Sequence, residues 1–411
     1  MADTTGIEVS ALILSSRLKK IKASASIAAK ARAVQLKESG RKIIDLTVGE
    51  PDFKTPTHII QAGVEAFEQG FTLYTASPGI SELRAAIVNK FKRENNLDYS
   101  LAQVVVGSGA KQIIYNAMTA TLNPGDEVIV PAPYWVSYPE MVILNEGIPV
   151  VVTCPAESGF KLTPELLESS ITFKTRWVIL NSPNNPTGAV YTREELAALG
   201  EVLLRHPHVW VLSDELYEHF IYEKEQHYSI LNTTPKLAER TLVVNGVSKT
   251  YAMTGLRIGY AAGPVGIIGA ISLLISQSIT CANSIAQKAA TVALLGEQEC
   301  VTTACDMYEV RRDLMIEGLN KVSGITFVNP QGAFYVLISV EGLLGHKTAA
   351  GKILNSDQAI ALYLIDEVGV VTVDGSSYGQ PGYLRLSFAT TAETIIQGCA
   401  AITTAFSRLS N

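Results

Sequence analysis

The amino-acid sequence predicts an α/β protein with a mostly parallel central sheet and a second, smaller α/β domain. The first observation is the length of 411 residues, which is enough for two or three domains. The second is the middle of the chain, where short runs of Val, Ile and Leu alternate with longer helical patterns. The third is the C-terminal part, where β-rich segments are separated by helical stretches.

Five central strands are predicted from apolar runs that each end at a turn or a polar residue. They lie in "QVVVGSGAKQIIYNAMTATL" (103–122), "DEVIVPAPYW" (126–135), "TRWVILNSPNNPTG" (175–188), "HVWVLSDELYEHF" (208–220) and "RTLVVNGVSK" (240–249). Nearly continuous Val, Ile and Leu, without polar alternation, is typical of strands that are buried on both faces. We therefore expect helices on both faces of this sheet.

The smaller domain is predicted from the two ends of the chain. Its β-rich segments are "GITFVNPQGAFYVLISV" (324–340), "VGVVTVDGSSYG" (368–379) and "PGYLRLSFATT" (381–391). A helical stretch at 26–39 precedes the first strand-like run, "KIIDLTVGEPDF" (42–53), and is expected to pack with this domain. The predicted limits are 1–50 for an N-terminal arm and part of the small domain, 51–325 for the large domain and 326–411 for the C-terminal small domain.

Composition and charge argue against several classes of protein. The net charge is −6 and no dense block of Lys and Arg occurs, so we expect no nucleic-acid partner. The longest apolar stretch, "VGIIGAISLLI" (265–275), is too short to span a bilayer, so no membrane is expected either. The five cysteines are scattered and form no C-x-x-C pair, which indicates neither a metal site nor a disulfide framework. Without a secretory signal pattern, the expected location is cytoplasmic.

Polar or conformationally special residues follow each of the five predicted strands. They are Gly107 to Gly109, Pro133 to Trp135, Asn181 to Gly188, Asp214, and Ser248 with Lys249. In open α/β sheets, ligands bind outside the carboxyl ends of the strands. Because these segments are far apart in the sequence, their shared position is hard to explain by packing alone. The pattern predicts one ligand site at this edge.

The segment "GSGAK" (107–111) indicates an anion site at the start of a helix. The first backbone N–H groups of a helix are free to bind an anion, and the small residues Ser108, Gly109 and Ala110 allow a phosphate to approach. The segment lacks the third glycine of GxGxxG, so it does not indicate a dinucleotide. Arg257 would add a fixed positive charge. Taken alone, a glycine turn that only caps a strand would look the same.

Asp214 ends the apolar run "VWVLSD", where a carboxylate needs a cationic partner to stay ionised. A helix cap is the other explanation, since "SDELYEHF" (213–220) suits a helix, and Tyr217 would then share a face with Asp214. Trp135 would stack on a planar ring, or would simply belong to the core. Lys249, next to a buried strand, would ordinarily extend into water, because an unpaired buried ammonium is costly. A phosphorylated pyridinium ring with an aldehyde satisfies all these groups, so the predicted cofactor is pyridoxal 5′-phosphate, bonded to Lys249.

A series of motifs then links the chain to a known family. In order, they are "VGEPDF" (48–53), "YTASPGISELR" (74–84), "NPGDEVIVPAPYWVSYPEMV" (123–142), "NSPNNPTGAVY" (181–191), "SDELYEHFIY" (213–222), "SKTYAMTGLRIGY" (248–260) and "YLRLSFATT" (383–391). With these motifs the chain resembles the class I and II aminotransferases of fold type I, close to the bacterial aspartate, aromatic and prephenate branch. The resemblance implies transfer of an amino group from an L-amino acid, most simply an aspartate-like one, to 2-oxoglutarate or another 2-oxo acid. The implied route is ping-pong through pyridoxamine phosphate.

The resemblance implies a role for each residue that faces the cofactor. Lys249 would bond to the cofactor aldehyde and, once freed by substrate, carry a proton from the substrate Cα. Asp214 would pair with the pyridinium nitrogen, and Trp135 would stack on the ring and border the substrate. Tyr217 and Asn185 would hydrogen-bond the phenolic oxygen of the ring. The phosphate would be held by Ser108, Gly109, Ala110, Ser248 and Arg257.

The resemblance also implies how the substrate and a second subunit are bound. Arg385 would pair with the substrate α-carboxylate, aided by Asn185 and by the backbone at Gly49. Tyr74 matches a tyrosine that, in this family, reaches the phosphate of the neighbouring subunit, so a homodimer with shared sites is expected. Lys111 matches a lysine that, in the bacterial branch, can bind the side-chain carboxylate of the substrate. A lysine at the start of a helix is equally often just solvated.

Two departures from the family pattern concern the pocket wall. Leu256 replaces a tryptophan that is usual among relatives, and "ITCANS" (279–284) replaces a turn rich in Ser, Asn and Pro. Other activities therefore stay open: an aminotransferase for an aromatic, prephenate or specialised donor, or a β-lyase or aminocyclopropane carboxylate synthase. A cofactor-binding regulator would carry a DNA-binding domain before "GEPDF", where we expect no room. A nicotinamide oxidoreductase is disfavoured by the missing glycine fingerprint.

Overall fold

The structure is a computed structural model that describes residues 15–21, 26–38, 40–223 and 226–410, with residues 26–31 as backbone only. The strands are Ile44–Asp45 (β1), Val104–Gly107 (β2), Glu127–Ala132 (β3), Ile148–Thr153 (β4), Thr175–Asn181 (β5), Trp210–Asp214 (β6), Thr241–Gly246 (β7), Gly259–Ala262 (β8), Thr326–Phe327 (β9), Tyr335–Ser339 (β10), Val370–Val371 (β11), Val373–Asp374 (β12) and Tyr383–Ser387 (β13). The α-helices are Ser26–Glu38 (α1), Thr57–Glu68 (α2), Ser81–Asn95 (α3), Ala110–Thr121 (α4), Ser137–Leu144 (α5), Pro164–Ser170 (α6), Arg193–Arg205 (α7), Ile230–Thr233 (α8), Val265–Ser278 (α9), Ser284–Leu295 (α10), Glu299–Leu319 (α11), Asp357–Val368 (α12) and Ala392–Phe406 (α13).

The central sheet has seven strands in the order β2-β8-β7-β6-β5-β3-β4. The strand β8 runs antiparallel to both of its neighbours, and the remaining pairs are parallel. The predicted mostly parallel sheet is therefore confirmed, and it contains two strands, β4 and β8, besides the five predicted ones. All five predicted strands point the same way, so their carboxyl ends reach one edge. The amino end of β8 lies at that edge too.

Alternate residues of the central strands pack into two separate cores. In β7, Val243 belongs to the core that α3, α7 and α10 cover. Its neighbours Leu242 and Val244 belong to the core on the other face, with α4, α5 and α9. All three side chains are fully buried. Successive side chains of a strand point to opposite faces, so a strand covered on both sides needs apolar residues at every position.

A second unit combines the two ends of the chain. Its antiparallel sheet has the order β12-β13-β10-β9, and β1 pairs with β11 in a separate parallel ladder. Leu46, Val336 and Leu384 share its apolar core. This arrangement confirms the predicted small α/β unit, formed from an early segment and the C-terminal part. The limits at 50/51 and 325/326 stay a prediction.

None of the helices among the described residues combines the length and the hydrophobicity that a membrane span requires.

Candidate active site

A cleft lies at the edge where the predicted carboxyl ends meet. It is lined by Gly49, Ala110, Lys111, Ile114, Trp135, Tyr138, Asn181, Asn185, Asp214, Leu216, Tyr217, Ser248, Lys249, Thr254, Arg257, Tyr335 and Arg385. The last two come from β10 and β13 of the small sheet, so both sheets build the cleft. The structure thus brings together most of the residues that the sequence singled out.

Lys249 lies in the loop after β7 and points into this cleft. Its Nζ donates a hydrogen bond to the carbonyl oxygen of Gly49 at 2.5 Å and lies 5.9 Å from the centre of the Tyr217 ring. Desolvation lowers the pKa of Lys249 to about 8, with Arg257 acting in the same direction and Glu50 opposing it. The amine therefore loses its proton more easily than an ordinary lysine, which favours its use as a nucleophile and a base.

Asp214 is the last residue of β6 and is 5% exposed. The Tyr138 hydroxyl donates to its Oδ2 at 2.6 Å, and the Leu216 backbone N–H donates to its Oδ1 at 3.3 Å. Burial raises the pKa of Asp214 to about 6, although both hydrogen bonds oppose the rise. A positive charge in the cleft would keep this carboxylate ionised.

The helix considered for residues 213–220, as the alternative explanation of Asp214, is not formed. Residues 216–219 form a turn, in which the Glu218 N–H donates to the carbonyl oxygen of Glu215. Asp214 therefore caps no helix, and Tyr217 reaches the cleft through the turn. The hydroxyls of Tyr217 and Tyr335 are 2.9 Å apart, and burial raises the pKa of both, so they stay protonated donors near neutral pH.

Arg385 extends from β13 and is 6% exposed. Its Nη1 donates to Asn185 Oδ1 at 3.1 Å, and its Nη2 donates to the carbonyl oxygen of Thr47 at 2.7 Å. The guanidinium lies 4.4 Å from the ring centre of Tyr335 and 5.2 Å from that of Tyr378. Its buried Nε has no hydrogen-bond partner among the described residues. A buried, partly unsatisfied guanidinium in a cleft is suited to a carboxylate.

Close packing at the start of α4 creates a place for an anion. Gly109 precedes this helix with φ +82°, and a Cβ there would lie 2.1 Å from Arg257 Nη2. A Cβ at Gly259 would lie 2.1 Å from the backbone N of Ala110. Only glycine allows these approaches, and they place a guanidinium against the first N–H groups of the helix. Ser248 also lines the cleft and is 6% exposed.

Lys111 and Trp135 meet at the mouth of the cleft. The Lys111 Nζ lies 4.7 Å from the centre of the Trp135 ring, within the range of a cation–π contact. Desolvation and the nearby charge of Arg257 lower the pKa of Lys111. The side chain thus contacts the wall of the cleft, although much of it remains exposed.

Other predicted residues lie outside the lining of the cleft. Ser108 borders an adjoining surface pocket together with Lys111 and Arg257. Tyr74 is 84% exposed and takes no part in lining the cleft. Leu256 is 41% exposed and is also outside the lining, as are residues 279–284. Their predicted effect on the pocket wall stays a prediction.

Sequence reasoning missed several residues that shape the cleft, above all Tyr138 and Tyr335. Tyr138 lies in the quoted motif "PYWVSYPEMV", three residues after Trp135, which is the spacing of one helical face. That spacing is the signal that was available. Tyr335 lies within "GAFYVLISV", where the sequence indicates a core strand and nothing distinguishes a hydroxyl that faces a ligand.

The cleft fits pyridoxal phosphate in three independent respects. The buried Asp214 carboxylate would be stabilised by a protonated ring nitrogen, and the close contact of Gly109 with Arg257 provides a cradle for a phosphate. Lys249 offers an amine of lowered pKa to an aldehyde. Together, the fold and this cleft define a pyridoxal phosphate-dependent enzyme of fold type I.

Comparison with known proteins places the chain within that class. The family model "Aminotransferase class I and II" matches residues 41–402. The chain is 51% identical to the aspartate/prephenate aminotransferase of Cereibacter sphaeroides over 389 residues, 95% of this chain and 97% of that protein. The chain belongs to the class I and II aminotransferases. It is an enzyme that moves an amino group between an amino acid and a 2-oxo acid and uses pyridoxal phosphate.

Solved structures agree with this assignment. The crystal structure of the aspartate aminotransferase from Rhizobium meliloti superposes with a TM-score of 0.95 at 46% identity, covering 97% of this chain and 99% of that one. The aspartate aminotransferase from Thermus thermophilus with maleate gives a TM-score of 0.88 at 41% identity, covering 95% and 99%.

Proposed function

We propose that this aminotransferase prefers amino acids with a carboxylate on the side chain, with an aspartate-like donor and 2-oxoglutarate as acceptor. The observation that carries the proposal is a pair of cationic groups in one cleft: the buried Arg385 guanidinium and the Lys111 ammonium beside Trp135. Two carboxylates on one substrate match two separate cations. The names of the relatives, aspartate and aspartate/prephenate aminotransferase, agree with this reading.

Prephenate is the second candidate substrate, as the amino acceptor. It is a 2-oxo acid that carries another carboxylate on its ring, so it presents the same two charges as the smaller substrates. The 51% identity to an aspartate/prephenate aminotransferase favours it specifically. A β-lyase remains the chemical alternative, because it would keep the same lysine, aspartate and arginine.

The residues on the floor of the cleft have distinct tasks in the proposal. Pyridoxal phosphate supplies the electrophilic carbon that bonds nitrogen and the ring that delocalises the electrons released at Cα. Lys249 holds the cofactor and then, as a neutral amine, accepts the Cα proton. Asp214 keeps a positive charge on the ring nitrogen. Tyr217 and Asn185 would donate hydrogen bonds to the ring oxygen, and Trp135, at the mouth, would stack on the ring.

The two ends of the cleft bind the charged groups. Ser108, Gly109, Ala110, Ser248 and Arg257 would hold the phosphate. Arg385, with Asn185 and the backbone at Gly49, would bind the α-carboxylate. The guanidinium of Arg385 is already oriented for a carboxylate, because its hydrogen bonds to Thr47 and Asn185 fix its position. Its Nε has no hydrogen-bond partner among the described residues.

The proposal includes a homodimer in which Tyr74 completes the phosphate site of the second subunit. It is supported by the exposure of Tyr74 (84%), Leu73 (81%) and Phe67 (65%), which lie close together in the sequence on and after α2. Large apolar side chains in such a cluster favour contact with another surface. The proposed domain limits are those predicted from the sequence: 1–50, 51–325 and 326–411. The cytoplasmic location is kept, supported by five free cysteines.

The test is the visible absorption spectrum of the purified protein, recorded before and after separate additions of L-aspartate, L-glutamate, L-phenylalanine and L-alanine. We expect a visible band from the bound cofactor that the two dicarboxylic donors remove at lower concentration than the other two. Removal of the band by phenylalanine or alanine at equal or lower concentration would refute the dicarboxylic preference. Release of ammonia and pyruvate without an added 2-oxo acid would indicate the lyase instead.

A further inference from the structure

A buried cluster of charged and amide side chains lies behind the cleft. Lys90 of α3 is fully buried, and its Nζ contacts Glu218 Oε1 and donates to Asn95 Oδ1 at 2.8 Å. Glu218 also accepts hydrogen bonds from Asn95 Nδ2 at 2.7 Å and from Asn245 Nδ2 at 2.6 Å. Burial alone would raise the pKa of Glu218, but Lys90, His219, His227 and the hydrogen bond from Asn95 together lower it, so the carboxylate stays charged.

A histidine extends this cluster towards the loop of Lys249. His219 Nδ1 lies 3.0 Å from Thr250 Oγ1, and its Nε2 lies 3.1 Å from Glu94 Oε2. Glu94 lies 3.5 Å from the Lys90 Nζ, which joins the two parts into one network. Hydrogen bonding to His219 lowers the pKa of Glu94, although burial opposes this.

The network contacts the two segments that carry the central groups of the site. Glu218 and His219 directly follow Tyr217 in the turn after β6, and Thr250 directly follows Lys249 in the loop after β7. Across the cleft, the Lys249 Nζ is 5.9 Å from the centre of the Tyr217 ring. The hydrogen bond between His219 and Thr250 is therefore a bridge, behind the cleft, between the residues next to Lys249 and Tyr217.

Stability explains such a network poorly. A buried ion pair recovers little more than the cost of its own desolvation, and apolar residues of similar size often stabilise a fold as well or better. Hydrogen bonds to Lys90 and Glu218, in contrast, are directional, and they fix the turn relative to α3 and β7.

We propose that Lys90, Glu218 and His219 are positioning residues, which hold Tyr217 at a fixed distance from Lys249 through the bridge to Thr250. The inference rests on the roles proposed above for Tyr217 and Lys249. None of the three needs to touch substrate or cofactor. Their effect is to keep the Tyr217 hydroxyl and the Lys249 amine at a fixed distance from each other during the reaction.

The most selective test replaces Thr250, because its hydroxyl makes the bridge while Val has the same shape. Thr250→Val removes the hydrogen bond to His219, and Thr250→Ser keeps it. The matched control is Thr241→Val: Thr241 is fully buried at the start of β7, and its hydroxyl donates to the Leu237 carbonyl at 2.9 Å, at the end of the strand away from the cleft. The readouts are kcat, KM for L-aspartate, and the visible circular dichroism of the bound cofactor.

We expect Thr250→Val to lower kcat about tenfold with little change in KM, as a small misplacement of reacting groups does. The visible circular dichroism should change as well, because it reports the surroundings of the ring. Thr250→Ser should restore both, and Thr241→Val should leave both at the wild-type level. Equal behaviour of Thr250→Val and Thr241→Val would overturn the inference. If the wild-type protein showed no cofactor band and no amino transfer, the proposed function itself would fail, which is a different result.

A second variant tests the charged part of the network. Lys90→Met alone leaves the Glu218 carboxylate buried without its counter-ion, which endangers folding. The double variant Lys90→Met with Glu218→Gln removes both charges, and the single carbonyl oxygen of Gln can accept from either Asn95 or Asn245, which both donate to Glu218 in the native protein. We expect a folded protein, with a thermal midpoint near that of the wild type, whose kcat is reduced about as much as in Thr250→Val. A folded double variant with wild-type kcat and circular dichroism would contradict the proposal.

Discussion

The floor and the mouth of the cleft differ in burial and in how firmly hydrogen bonds hold their side chains. On the floor, Asp214, Tyr138 and Tyr217 are 5%, 2% and 5% exposed, and hydrogen bonds fix each of them. At the mouth, Lys111 is largely exposed, and its Nζ lies 4.7 Å from the centre of the Trp135 ring. In the proposed function, the buried floor carries the chemistry common to the class, and the open mouth selects the substrate.

The largest effect should come from the floor, at Lys249. Lys249→Ala removes the amine that we propose holds the cofactor and carries the proton, so we expect kcat to fall about 10⁴-fold or more, whichever amino acid is the donor. Steady-state kinetics with both aspartate and phenylalanine would measure this loss. The control is Lys321→Ala, which removes an exposed lysine that pairs with Glu317 outside the lining of the cleft and should leave kcat unchanged. Substantial activity in Lys249→Ala would contradict the roles proposed for all the residues on the floor of the cleft.

A smaller loss is expected from Asp214→Asn. The amide is neutral and cannot stabilise a positive ring nitrogen, so we expect kcat to fall about 10²- to 10³-fold for every donor and the cofactor to bind more weakly. Titration of the cofactor-free protein with pyridoxal phosphate would measure the affinity. Asp357→Asn, at an aspartate that is 1% exposed and bonded to Ser376, is the control for loss of a buried carboxylate. If both variants bind the cofactor equally, Asp214 does not face the ring.

The sequence predicts the residues on the floor of the cleft better than the turn that carries Tyr217. Asp214 and Lys249 were accessible because strand ends are recognisable from apolar runs, and parallel strands bring their carboxyl ends to one edge. The turn at 216–219 could not be predicted from the sequence. The segment "SDELYEHF" has helix-forming residues and a capping pattern, and tertiary contacts decide its conformation. Arg385 was identified by resemblance to the family, since nothing in "YLRLSF" alone shows that the arginine is buried.

The network behind the cleft shows a second limit of sequence reasoning. Lys90 and Glu218 are far apart in the chain, and each is of a residue type that is almost always exposed. Only the folded chain reveals that they are buried together. Tyr335 and Tyr138 were missed for a related reason, since an aromatic residue in an apolar segment looks like core until its hydroxyl is seen to contact Tyr217 or Asp214.

The division between floor and mouth is tested most directly by the ratio of kcat/KM for L-aspartate to kcat/KM for L-phenylalanine in Lys111→Met. We expect the ratio to fall about 10- to 100-fold through loss of the aspartate reaction alone, the effect of one charged hydrogen bond. Lys174→Met, at an exposed lysine that lies 5.8 Å from the Phe173 ring, should leave the ratio unchanged. Equal losses for both amino acids in Lys111→Met would contradict the account, because Lys111 would then serve the cofactor or the fold and the mouth would not select the substrate.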